Sequence, residues 1–133
     1  MIFDKTEKNN LPENVLENGL VNRKNLRLIN FDGKSLSLQH ELFTNDALIF
    51  YKSNSKKAKL KSNKDNHSVE IYFDYFDNLL VWSTVNKGKF IALEPMTGIS
   101  TFLDENDIFE EKTQVKFLEP NHTSILRFTL KLN

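Results

Sequence analysis

Hydrophobic and polar positions alternate with period two in several short runs of the chain, a pattern typical of β-strands. In the run from Thr123 to Leu132, the apolar residues Leu126, Phe128, Leu130 and Leu132 fall on one face. A sheet with one buried face and one wetter face produces this alternation. The pattern therefore predicts a C-terminal strand whose apolar face packs against the interior.

Two neighbouring runs in the middle of the chain predict a hairpin. Lysines alternate with small or apolar residues over positions 57–62, and Val69, Ile71 and Phe73 alternate with polar or amphipathic residues in the next run. The cluster from Asn63 to Asn66 between these runs has the composition of a tight turn. The lysines of the first strand are expected to form a solvated outer face.

The remaining pattern is also mostly that of short strands. Pro12 at a possible first helical position indicates a helical turn near residues 11–18. Residues 101–114 lack a clear period, which predicts a long acidic loop with at most a short turn of helix. Further strands are predicted at residues 26–30, 35–38, 46–51, 79–84 and 89–94.

Length and composition agree with one folded unit. The chain has 133 residues, of which 39% are hydrophobic and 27% charged, as in a globular rather than a disordered protein. Eleven phenylalanines suit an aromatic sheet interior. No Pro/Gly-rich linker divides the sequence. We therefore predict a single domain over residues 1–133, all-β, folded as an antiparallel β-sandwich.

Charge and residue usage exclude several functions. Eighteen basic residues balance eighteen acidic ones, so no electrostatic footprint for nucleic acid or an anionic membrane is expected. The absence of cysteine excludes disulfides and thiolate chemistry. No metal-ligand cluster and no phosphate-cradling glycine loop is visible, and no cofactor is expected. The first residues lack an apolar signal core, and no run is long enough to span a bilayer. A cytoplasmic protein is the expectation.

The segment KFIALEPMTGIS, residues 89–100, carries the main candidate for chemistry. It places the carboxylate of Glu94 near the end of an apolar run that stops at Pro95. Carboxylates are rarely buried without a partner, so this position indicates either a strand edge or a site.

The order of segments resembles the C-terminal half of the aldose 1-epimerase (galactose mutarotase-like) family, most closely its LacX-type branch. The resemblance covers most of the chain from residue 11 onward. It rests on seven pieces in sequence order: HELFTNDALIF at 40–50, KKAKLKS at 56–62, VEIYF at 69–73, LVWS at 80–83, FIALEPMTGIS at 90–100, EEK at 110–112 and FLEP at 117–120.

The resemblance implies a large β-sandwich, of which this chain is a part, that binds a hexose and interconverts its anomers. The glutamate that acts as base in the family falls on Glu94. A family aspartate that binds sugar hydroxyls falls on Asp46. His40 and Trp82 are further candidates for sugar contact, although a lone histidine is more often a surface hydrogen-bonding residue and Trp82 shares a predicted core face with Leu80.

The resemblance also implies missing parts. The family's general-acid histidine lies in an HPYFN-like motif that has no counterpart in this chain, and Met96-Thr97-Gly98 replaces a Trp-Tyr-Gly that follows the family's Glu-Pro. Three interpretations stay open: a weak or inactive epimerase-related protein, a non-catalytic sugar-binding or interaction domain, and a truncated gene product. Uncovered strand edges predict a homo-oligomer or a complex with a separate N-terminal half.

Overall fold

The computed structural model describes all residues, 1–133. The structure contains nine strands and no α-helix, which confirms the all-β prediction. Two short 3₁₀-helices occur at His40–Phe43 and Phe109–Glu111. Neither has the length or the apolar character needed to cross a membrane. The strands are β1 (Ile2–Phe3), β2 (Asn10–Val15), β3 (Leu20–Leu28), β4 (Leu48–Phe50), β5 (Lys57–Lys61), β6 (Ser68–Tyr72), β7 (Asn78–Trp82), β8 (Ala92–Met96) and β9 (Thr129–Leu132).

These strands form three antiparallel sheets. One sheet has the strand order β1-β5-β6-β9, a second pairs β2 with β3, and the third has the order β4-β7-β8. The main core lies between the first and third sheets, where Ala58 and Ile71 of one meet Phe50, Leu79 and Val81 of the other. This arrangement is the β-sandwich that the alternating pattern predicts.

The Lys-rich hairpin is present with the predicted turn. Strands β5 and β6 pair so that Lys59 lies opposite Glu70, and their side chains form an ion pair of 3.4 Å. The ammonium of Lys57 lies 5.8 Å from the ring centroid of Tyr72, its cross-strand partner. The predicted solvated face of this strand is therefore partly covered by its neighbour, since Lys57 and Lys59 are half-buried.

The predicted helical turn near residues 11–18 is wrong, because Asn10–Val15 forms strand β2. Leu11 is buried in the main core, and the ladder with β3 shifts register between Pro12 and Glu13. Proline cannot donate to a ladder, and sheet irregularities accommodate it. The bulge thus explains how Pro12 occurs inside a strand.

The predicted C-terminal strand is shorter and less covered than its sequence indicates. Only Thr129–Leu132 pairs with β6, and all four of its residues are exposed. Leu130 lies opposite the buried Ile71 but is itself 54% exposed. Alternation reports which residues share a face, but it does not report whether a second layer covers that face.

A buried carboxylate fixes the path of the N-terminal segment. Glu7 is 7% exposed and accepts hydrogen bonds from the Ser53 hydroxyl at 2.8 Å and the Ser55 backbone N–H at 2.7 Å. The backbone N–H of Asn54 donates to its second oxygen at 3.3 Å. Buried charge is tolerated when hydrogen bonds replace water, and this set of donors meets that condition.

The long loop at residues 101–114 contains the predicted short helical turn and is held by Glu105. Its carboxylate accepts hydrogen bonds from the backbone N–H groups of Phe102 at 2.8 Å and Thr113 at 2.7 Å. Desolvation raises the pKa of Glu105, but hydrogen bonds from Thr113 and Phe102 and the charge of Lys112 outweigh it, so the pKa is lowered from its usual 4.5.

This lowered pKa predicts a loss of stability in acid. Above the unfolded-state pKa of 4.5, the hydrogen bonds of Glu105 contribute fully to the free energy of unfolding. That contribution is lost as pH falls through the lower folded-state pKa. In an NMR titration, the Phe102 and Thr113 amide protons should shift with a midpoint below 4.5. Glu105→Gln should remove that titration while Glu110→Gln, at an exposed position, leaves it unchanged. A midpoint above the unfolded-state value would contradict this account.

Candidate functional site

The candidate site lies on the outer face of the β4-β7-β8 sheet. Strand pairing aligns Ile49, Leu80 and Glu94 across the three strands. Successive side chains of a strand point to opposite faces. The neighbouring residues Leu79 and Val81 belong to the main core, so the row that contains Glu94 must face away from it.

Glu94 is exposed, and its carboxylate makes no hydrogen bond or ion pair within the chain. Its neighbours Leu93 and Pro95 lie opposite Val81 and Leu79 on the inner face. Strand β8 is at the edge of its sheet, where proline is tolerated. The apolar run followed by Pro95 is therefore an edge strand with one carboxylate directed outward.

An aromatic pair lies next to this carboxylate. Trp82 pairs with Ala92, two residues before Glu94, and residues 82, 92 and 94 share the outer face. The ring centroids of Trp82 and Phe90 are 5.4 Å apart and the rings are tilted by 53°. The Ser83 hydroxyl donates to the Phe90 carbonyl at 2.8 Å, which holds the connection between β7 and β8. Trp82 is half-buried, so part of its surface remains open.

A second, smaller core covers the part of the outer face that lies around Ile49 and Leu80. Ile49 packs with Val21, Ile99 and Phe102, and Leu80 packs against this group. The guanidinium of Arg23 lies 4.4 Å from the ring centroid of Phe102 and forms a 2.9 Å ion pair with Asp104. The loop after β8 is thus fixed beside the row that contains Glu94.

The structure places Asp46 away from Glu94. Asp46 is exposed and lies two residues before β4. It has a left-handed φ of 65°, and its backbone N–H donates to the Phe43 carbonyl at 3.1 Å. Aspartate tolerates this conformation better than most residues. Strands β4 and β8 are separated by β7, a distance of about 10 Å across the sheet. The carboxylates of Asp46 and Glu94 are not in contact.

His40 shares no cavity with Glu94 and approaches the aromatic pair from the Phe90 side. Its Nδ1 lies 2.6 Å from the Thr84 carbonyl oxygen, and a carbonyl only accepts, so Nδ1 carries the proton. His40 lines a cavity with Met1, Leu36 and the tip of the β5–β6 hairpin, which does not include Glu94 or Trp82. Of the four candidates, only Glu94 and Trp82 share the outer face of the β4-β7-β8 sheet.

Sequence reasoning missed Phe90, which extends the aromatic surface of Trp82. Trp82 and Phe90 are eight residues apart, and only the turn between β7 and β8 brings them together. The signal that predicts this contact is Lys87-Gly88 between two apolar runs, which marks a turn. No group of three or more His, Asp or Glu side chains is arranged to hold a metal ion.

Two curated proteins are similar to this chain over most of its length. They are Protein LacX, plasmid, and Protein LacX, chromosomal, both from Lactococcus lactis subsp. lactis. Each is 38% identical over 122 residues, which is 92% of this chain. The chain spans 41% of the length of either relative. No protein-family model matches the sequence.

A solved structure shares the fold. The crystal structure of a galactose mutarotase-like protein from Lactobacillus casei ATCC 334 superposes with a TM-score of 0.84 at 23% sequence identity. The match covers 99% of this chain and 45% of that protein. The chain therefore has a galactose mutarotase-like fold, and its similarity to the LacX proteins supports the resemblance to the aldose 1-epimerase family.

Proposed function

We propose that this chain is an aldose 1-epimerase-related protein that binds a hexose on the outer face of the β4-β7-β8 sheet. The observation that carries the proposal is the shared face of Glu94 and Trp82 on adjacent strands. A carboxylate accepts hydrogen bonds from sugar hydroxyls, and an aromatic ring covers the apolar face of a pyranose. The name of the structural neighbour and the similarity to LacX proteins favour a sugar over other ligands.

In this proposal Glu94 is the base of mutarotation. The base takes the proton from the anomeric hydroxyl while an acid protonates the ring oxygen; the ring opens, C1 rotates, and the ring closes on its other face. Glu94 is exposed, so its carboxylate is accessible to a sugar hydroxyl. No hydrogen bond or ion pair joins Glu94 to a histidine or other acid. Trp82 and Phe90 would position the sugar rather than transfer protons.

The lack of an acid next to Glu94 determines the expected rate. A positioned acid or base contributes about 10² to 10⁴ in rate. Catalysis by this chain alone should therefore be slower than that of a complete acid–base pair by about that factor. A non-catalytic sugar-binding domain is the second candidate, and the solitary position of Glu94 is the observation that favours it.

Polarimetry with freshly dissolved α-galactose and α-glucose separates these functions. We expect little or no acceleration by the wild-type chain, together with hexose-dependent NMR shifts at Trp82 and Glu94. Glu94→Gln should abolish any acceleration, because the amide cannot act as a base. It should also reduce most of the shifts, because a neutral amide accepts weaker hydrogen bonds from sugar hydroxyls than a carboxylate does. Glu119→Gln, at an exposed residue outside the sheet, is the matched control.

Shifts without acceleration would establish the binding domain, and acceleration that Glu94→Gln abolishes would establish a working epimerase. The absence of hexose-dependent shifts and of acceleration would contradict both. Acceleration that persists in Glu94→Gln would contradict the assignment of the base.

We further propose that the C-terminal segment mediates self-association. Seven large apolar side chains between residues 117 and 132 are at least 50% exposed: Phe117, Leu118, Ile125, Leu126, Phe128, Leu130 and Leu132. Strand β9 also lies at the edge of its sheet, with unpaired backbone groups on its outer side. Contiguous apolar surface and open edges favour association between chains.

Light scattering over a range of protein concentrations tests the association. We expect a mass that rises above the monomer with concentration, since apolar surface is buried between copies. Phe128→Ser combined with Leu130→Lys should shift the distribution toward monomer, whereas Leu16→Ser, at another exposed apolar residue, should not. A monomer at the highest concentrations would contradict the proposal.

A further inference from the structure

The cavity that His40 lines has the dimensions of a small-molecule site. Its volume is about 780 Å³, within the range of about 300–1,000 Å³ for ligand pockets. It lies between the N-terminal residues, the 35–38 segment, the tip of the β5–β6 hairpin and the start of the segment leading into β8. Seven of its sixteen lining residues are apolar. Its position is separate from the row containing Glu94.

Every charged side chain that lines this cavity is basic. Lys61, Lys64 and Lys89 contribute to the lining, and no aspartate or glutamate does. The whole chain has equal numbers of acidic and basic residues, so this local excess of positive charge does not follow from composition. A concave site with charge of one sign concentrates ligands of the opposite sign.

The three lysines have no acidic partner within the chain. The lysine ion pairs of this structure involve Lys24, Lys59, Lys112 and Lys116 instead. Asp65, which follows Lys64, lies 3.1 Å from the Nδ1 atom of His67. The ammonium groups around the cavity are therefore free to meet an anion that enters it. Lysine binds phosphate in proteins as a mobile point charge.

The rest of the lining suits a hydroxylated carbon skeleton. Ser37, Ser62 and Asn63 supply hydrogen-bonding groups, and Leu38, Phe90 and Ile91 supply apolar surface. The Phe90 ring is 47% exposed. A small number of polar groups on an apolar wall is the usual composition of a small-ligand site.

We infer that this cavity binds a phosphomonoester of a small hydroxylated compound such as a monosaccharide. The phosphate would lie among Lys61, Lys64 and Lys89, and the carbon skeleton would pack against Leu38 and Ile91. The inference does not depend on Glu94, because that residue does not line the cavity.

Calorimetry at low ionic strength tests the inference with galactose 6-phosphate, galactose and inorganic phosphate as separate probes. We expect galactose 6-phosphate to bind more tightly than either of the other two, and its affinity to fall as salt screens the lysines. Replacing Lys61, Lys64 and Lys89 together by alanine should weaken that binding roughly tenfold, as expected from three exposed charge contacts. The control variant replaces Lys5, Lys8 and Lys24 by alanine. It removes the same amount of charge away from the cavity, so its affinity for galactose 6-phosphate should change little.

NMR shifts caused by galactose 6-phosphate in the wild-type chain provide a measurement that does not require a variant. They should map to the amides of Lys61, Asn63 and Gly88, which line this cavity and lie outside the face shared by Glu94 and Trp82, and persist in Glu94→Gln, which distinguishes the cavity from the proposed hexose site. Equal weakening in both lysine variants, shifts confined to Trp82 and Glu94, or binding of inorganic phosphate as tight as that of the sugar phosphate would overturn the inference.

Discussion

The alternation of side chains in the β4-β7-β8 sheet is the constraint on which the candidate site depends. Leu79 and Val81 are fully buried at 0% exposure, so the inner face of β7 is fixed by the main core. The ladder with β8 then directs Glu94 to the opposite face. A slip of one residue would exchange the two faces of β8. It would turn Glu94 toward packed hydrocarbon, which is costly for an unpaired carboxylate.

The same sheet also sets the positions of the Trp82–Phe90 pair and of the loop after β8 relative to this carboxylate. Trp82 is on the outer face because Val81 is on the inner one, and the turn after β7 brings Phe90 against it. On the other side, Ile49 anchors Phe102, while Glu105 holds the start of that loop through backbone hydrogen bonds. A short three-stranded sheet thus positions an open carboxylate between an aromatic surface and a fixed loop.

Period-two patterns predicted the fold class, the β5–β6 hairpin and runs that overlap β3, β4, β7, β8 and β9, because alternation is local and reports which residues share a face. The strand predicted at residues 35–38 is wrong, since only Ser35 forms an isolated bridge, to Ile2. The patterns failed where a distant partner decides the outcome. Pro12 indicates a helix start in isolation, but pairing with β3 makes it a bulged strand residue. The exposure of Leu130 depends on layers that the alternation does not describe. The sequence named Glu94, Trp82, Asp46 and His40 as candidates, whereas the shared face of Glu94 and Trp82 and the different positions of Asp46 and His40 follow from strand register and loop paths.

Trp82 is the only tryptophan in the chain, so its fluorescence reports directly on the surface next to Glu94. The most direct test of the account is acrylamide quenching of this fluorescence during titration with galactose. The account predicts saturable protection of Trp82 in the wild-type chain and loss of that protection in Glu94→Gln. Quenching that is unchanged by hexose, or protection that is equal in both proteins, would contradict a sugar site formed by Trp82 and Glu94.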